Sequence, residues 1–172
     1  MNADHFRKMF DYNSWANRKM WDCARKLSDE QFIQAIDFSV GPIYVQIAHI
    51  ISAEQYLVIE RCAGKTETLY LQKEQITDRA ELRSHWDMVD AEIRDYLGGI
   101  TSDELERDIT YSARENTEPR TDKLWEFLLQ AYDHSLDHRA QIMTLLHIKF
   151  NATTVEQDYF HYLWQQTPTS EV

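Results

Sequence analysis

Four glycines and three prolines in 172 residues leave this chain few places to turn sharply. Barrels and sandwiches need frequent tight turns, and such turns draw on glycine and proline. So few breakers predict long helices joined by a small number of loops. The length suits a single domain over residues 1–172, large enough to bury a core without staples.

Apolar spacing places the helices. Phe6, Met9, Phe10, Asn13, Ala16, Met20, Cys23 and Leu27 recur at steps of three and four, which predicts a first helix over 3–26. Ser28-Asp29-Glu30-Gln31 has the form of a capping box and opens a short turn of helix. Gly41-Pro42 breaks the chain, and Pro42 suits the start of a second helix over 43–63, with Gly64 as its end signal. Thr77 is positioned to cap a third helix over 78–97, whose stripe is Leu82, Trp86, Val89, Ile93 and Leu97. Asp108 to Ser112 has the composition of a short strand, and Asn116 to Pro119 that of a turn. Thr121 is expected to cap the longest helix, 122–150, with Asn151 ending it in a left-handed conformation. Thr154-Val155-Glu156-Gln157 predicts a last short helix to 165, and a frayed tail is expected over 166–172. The expected fold is all-α: a four-helix bundle with one crossover connection and a short additional C-terminal helix.

Charge excludes classes of partner. Lys and Arg number 18 against 29 Asp and Glu, a net charge of −11. Such a chain repels phosphate backbones, and no local basic patch offsets this. Anionic membrane surfaces are disfavoured for the same reason. No apolar run approaches the roughly 20 residues of a membrane helix. The opening Met1 to His5 is polar and unlike a secretion signal. Cys23 and Cys62 are too few and too far apart for a disulfide framework. A reduced cytoplasmic protein is expected, with both cysteines buried as small hydrophobes.

The chemistry-bearing residues are histidines. His134 and His138 stand four apart, on one helical face, with Cβ atoms about 5–6 Å apart. Two imidazoles so placed can each reach one cation at roughly 2.0–2.1 Å. Seven histidines in this length produce roughly 0.24 such pairs by chance, so the spacing alone is weak. Their position in the apolar stripe adds weight, because buried ring nitrogens need partners. A metal would satisfy two at once; so would nearby Gln or Asp side chains. A site also needs a third ligand, and His49, beside the stripe of the second helix, is the best placed. A buried histidine bonded to Gln46 or water is the other reading. His5, His85, His147 and His161 are expected at solvent or helix ends. Gln46, Gln130, Asp137 and Gln141 are candidates to orient the rings, and Glu54 and Asp133 are candidate bases.

Three segments taken together resemble the DinB family, also called the DinB/YfiT-like superfamily. Tyr12-Asn13-Ser14-Trp15-Ala16-Asn17 is similar to its opening helix. Ile47-Ala48-His49-Ile50-Ile51-Ser52-Ala53-Glu54 is similar to its second-helix motif. His134-Ser135-Leu136-Asp137-His138-Arg139-Ala140-Gln141-Ile142 is similar to its His-x-x-x-His-Arg-x-Gln pattern. The resemblance spans about 6–163. One departure is Asn151, where the family usually has glycine.

The resemblance implies a four-helix bundle with an unusual crossover, often a homodimer. It implies a divalent metal, commonly nickel or zinc, held by three histidines, which fall here on His49, His134 and His138. It also implies a metal-dependent enzyme acting on a small molecule, of the thiol-dependent transferase or hydrolase type, with a low-molecular-weight thiol as partner. The rival expectation is a non-catalytic, metal-stabilised stress-response or interaction protein. The family is named for induction by DNA damage; at a charge of −11, that name points to regulation, not to DNA binding.

Overall fold

The computed structural model describes residues 2–112 and 118–166. The chain is mostly helical. Helix α1 covers Ala3–Ala24, with the Asn2 side chain accepting from His5 N at 2.9 Å. The expected capping box at Ser28 is present and opens α2, Asp29–Ile33. Helix α3, Ile43–Glu54, runs on without a break into a π-helical segment, Gln55–Cys62. That segment closes with Ala63 N donating to Val58 O, five residues back, at 2.9 Å, and Gly64 follows at φ +72°. No sequence signal announced the π segment.

Helix α4 covers Arg79–Gly99. Its cap is Asp78, which accepts from Ala80 N and Glu81 N at 2.8 and 3.1 Å. Thr77, the expected cap, instead donates back to Glu74 O at 3.1 Å. A turn of 3-10 helix, Glu104–Glu106, leads into β1, Asp108–Tyr111, where a strand was expected. Its antiparallel partner β2, Arg120–Lys123, was not foreseen. Thr121 pairs with Thr110 there, hydroxyl to hydroxyl at 3.0 Å, so it cannot cap a helix. Helix α5 starts three residues later, Leu124–Ile148, with Glu126 accepting from Lys123 N at 2.6 Å. Of the expected turn at Asn116–Pro119, residues 116 and 117 lie outside the described residues.

Asn151 takes φ +48°, the left-handed conformation expected of it. The predicted helix start at Thr154 is not found. Residues 151–158 are not helical, and α6 is Tyr159–Gln166. Two contacts explain the shift. Tyr12 OH donates to Gln157 O at 2.6 Å, which holds that stretch against α1. Asp158 then accepts from His161 N at 2.8 Å and starts the helix. The expected frayed tail over 166–172 falls, beyond Gln166, outside the described residues.

The core lies where α1, α3 with its π continuation, α4 and α5 face one another. The stripe of α4 is buried along its whole length, Leu82, Trp86, Val89, Ile93 and Leu97 each at 3% exposure or less. Trp21 packs edge-on against both Phe32 and Trp86. Both cysteines are free and buried, as expected, and burial pushes the Cys62 thiol up to about 12. Among the described residues, no helix is long and apolar enough to cross a membrane.

Candidate metal centre

Helices α3 and α5 are adjacent, and their histidines meet. His49 comes from the middle of α3; His134 and His138 come from successive turns of α5. The three ring centroids form a near-equilateral triangle, with sides of 4.7, 4.6 and 4.5 Å. His134 Nε2 lies 3.0 Å from His49 Nε2. One ligand nitrogen from each ring falls within 4.8 Å of the others, and among the described residues this is the cluster suited to a metal ion.

The donor set fits a divalent ion. Two nitrogens each about 2.1 Å from one cation stand roughly 3.0 Å apart at a right angle and roughly 3.4 Å apart at a tetrahedral angle. The observed 3.0 Å is at the near end of that range. Nδ1 of His134 and Nδ1 of His138 are buried and have no hydrogen-bond partner among protein atoms. The core-histidine reading required Gln or Asp partners for these rings, and the side chains foreseen for that role turn elsewhere. Gln46 Nε2 donates to Gly41 O at 2.7 Å. Gln141 Nε2 donates to Asp137 Oδ2 at 2.9 Å.

Electrostatics keep His49 and His134 neutral. Burial, then the like charge of His138 and His49, pushes His134 down to about 4. Burial first, then His138, lowers His49 too. A lowered folded value means that the unfolded chain takes up protons first as pH falls below about 6.5. The stability that these rings contribute is therefore complete above about pH 6.5 and is lost as pH falls towards 4. Thermal midpoints of chelator-treated protein between pH 7.5 and 4.5 check this. The difference between wild type and His134→Gln is expected to shrink on acidification; a pH-independent difference contradicts it.

The remaining candidates sort clearly. His5 and His147 are exposed, as expected. His161 sits on α6 and pairs with Gln165 Nε2 at 2.9 Å. His85 departs from expectation: it is half-buried, with Nε2 3.0 Å from Gln55 Oε1. Asp133 and Gln130 are exposed on α5. Glu54 is not a free base. It is 3% exposed and its carboxylate accepts from Asn13, Asn17, Ser135 and Trp86. That buried polar layer was missed, although Asn13 and Asn17 repeat the same four-residue spacing that singles out the histidine pair.

A cavity of about 440 Å³ opens along the same α3–α5 seam, between the π segment, the hairpin and α5. Tyr56, Leu57, Tyr111, Phe127, Glu126 and Gln130 line it. No histidine does, but Gln130 stands one helical turn before His134, on the same face.

Comparison with known proteins agrees with this architecture. The model of the DinB family matches residues 1–169. The fold resembles the crystal structure of a DinB-like protein from Bacillus cereus, with a TM-score of 0.67 at 17% identity, over 90% of this chain and 97% of that one. No curated protein matches the chain in sequence.

Proposed function

Because the chain belongs to the DinB family, we propose that His49, His134 and His138 bind one divalent transition metal, nickel or zinc, and that the protein is a metal-dependent enzyme acting on a small molecule. The observation that carries this reading is the convergence of three imidazoles at a spacing that suits one ion. Three imidazole nitrogens suit nickel or zinc. Three protein ligands are the count of a catalytic zinc site, where structural sites use four.

A bound ion supplies a double positive charge able to acidify a water or a thiol. The protein's part is separate. Burial holds His49 and His134 in the neutral form, with a lone pair available. The seam beyond Gln130 offers about 440 Å³, within the usual size of small-ligand sites. Its Tyr56, Tyr111 and Phe127 walls suit a flat apolar body, and Gln130 is placed to hold a polar end towards the histidines. A thiol-dependent transferase or a hydrolase fits that layout.

The wider reading is a single-domain four-helix bundle of α1, α3, α4 and α5 with a crossover, located in the cytoplasm and paired as a homodimer. Phe160 and Trp164, 67% and 70% exposed on α6, give apolar surface that supports pairing.

Elemental analysis of tag-free protein tests the central claim. About one metal per chain is expected after loading with zinc or nickel. Protein that stays metal-free in excess zinc overturns the reading. Bound metal without turnover in a screen of thiols with electrophilic and hydrolysable small molecules favours the metal-stabilised, non-catalytic alternative.

A further inference from the structure

A polar layer crosses the core beside the histidine cluster. Arg139 is 1% exposed, and its Nη1 donates to Asn13 Oδ1 and Asn17 Oδ1, each at 2.8 Å. Asn13 Nδ2 and Asn17 Nδ2 donate to Glu54 Oε1 at 2.8 and 3.1 Å. Ser135 Oγ donates to the same oxygen at 2.6 Å, and Trp86 Nε1 to Oε2 at 3.4 Å. Each asparagine thus turns its carbonyl to a buried cation and its amide N–H to a buried anion. The two charges fix which way both amides point.

The layer is tied to the cluster through the chain. Ser135 and Arg139 directly follow His134 and His138 on α5, and Glu54 lies on α3, which carries His49. Neighbouring residues on an α-helix point about 100° apart. One face of α5 therefore engages the polar layer, Arg139 reaching Asn13 and Asn17 on α1 and Ser135 reaching Glu54 on α3, while the next presents its histidines to His49.

We propose that Asn13 and Asn17 are positioning residues for the three-histidine centre: by bridging Glu54 on α3 to Arg139 on α5, they set the rotation of α5 and hence the spacing of the imidazoles. The proposal rests on the metal-binding reading given above. Its leverage is geometric. A ring nitrogen roughly 6 Å from a helix axis moves about 1 Å for a 10° rotation. Metal–ligand distances tolerate about 0.2 Å. A layer that only stabilised the fold would not affect metal affinity more than any other core contact of equal strength.

The test compares the double variant Asn13→Ala/Asn17→Ala with Leu97→Ala, a buried core truncation some three turns of α4 from Trp86. Both are assayed in the full-length chain, well below their thermal midpoints. Cobalt(II) serves as the probe, read by affinity and by its visible absorption bands. The double variant is expected to lose about 10- to 100-fold in affinity, the range for residues that orient ligands, with altered bands. Leu97→Ala is expected to stay within about twofold of wild type. Wild-type affinity in the double variant, or equal losses in both variants, overturns the proposal. If the double variant does not fold, Asn17→Ala keeps one bridge and is expected to show the same change in smaller degree. If wild type binds no metal, the metal reading falls separately. The imidazole ¹⁵N signals of metal-free protein then decide: shifts at His49 and His134 in the asparagine variants alone uphold positioning, and unmoved signals refute it.

Discussion

Replacing His138 with alanine is expected to reduce bound metal from about one per chain to a background level. Its ring is the most buried of the three, at 9% exposure, and stands 4.6 and 4.5 Å from the other two. Residues that merely orient ligands alter metal affinity by about 10- to 100-fold. Loss of one of only three ligands is expected to exceed 100-fold, because only His49 and His134 then remain to hold the ion. His5→Ala and His147→Ala, both on exposed rings, are expected to bind as wild type does. His161→Ala should do the same, since that ring pairs with Gln165 on α6. Titration of each variant with zinc against a chromogenic chelator provides the measurement. If His161→Ala abolished binding as His138→Ala does, the assignment to α3 and α5 would fail.

The second large effect concerns stability. Glu54→Ala leaves Arg139 buried with no carboxylate near it among the described residues, only the two asparagine carbonyls and the ring of Tyr12. Removing one member of a buried charged pair costs about 3–5 kcal/mol. For a chain of this size that corresponds to a fall in thermal midpoint of roughly 6–20 °C. The pair is not in direct contact; Asn13 and Asn17 carry the coupling between the charges. Burial opposes ionisation at both ends, pushing the Glu54 carboxyl up and the Arg139 guanidinium down. Removing both charges, as Glu54→Gln/Arg139→Met, is therefore expected to cost less than the sum of the two single changes. Urea unfolding of the four proteins measures this; strictly additive losses would contradict a bridged pair.

The residues explain which features were legible in the sequence. The α4 stripe was readable because every fully buried residue of the helix is apolar and recurs at steps of three and four. His134 and His138 were readable as a pair, since helical spacing alone puts them on one face. His49 was placed in the cluster mainly through a resemblance, because nothing in its own helix says which α5 residue it meets 85 positions later. Strand β2, Arg-Thr-Asp-Lys, was unreadable: its residues are polar, and it is held by backbone pairing to β1 and not by an apolar pattern. The cap of α4 was misplaced by one residue because Thr77 and Asp78 are both good caps, and a hydrogen bond to Glu74 decided between them. Glu54 looked like a base because a carboxylate near histidines invites that role; four donors from three helices assign it to the core.

The polar layer also bears on the order in which the molecule can be assembled. Asn13 and Asn17 are made early, but the guanidinium that they receive comes 126 and 122 residues later. Until α5 emerges from the ribosome, α1 and α3 carry three buried-type polar groups, Asn13, Asn17 and Glu54, with no cation to complete them. An early collapse of α1 on α3 would pair both amide N–H groups with Glu54 but strand the two asparagine carbonyls away from water, at a cost comparable to a lost hydrogen bond each. Closing so long a loop costs little more than closing a short one, so the final stability is scarcely affected. The burden falls on rate, since contacts between distant segments form late. Docking of α5 then completes the layer and, because His134 and His138 travel on the same helix, brings together the three imidazoles in one event.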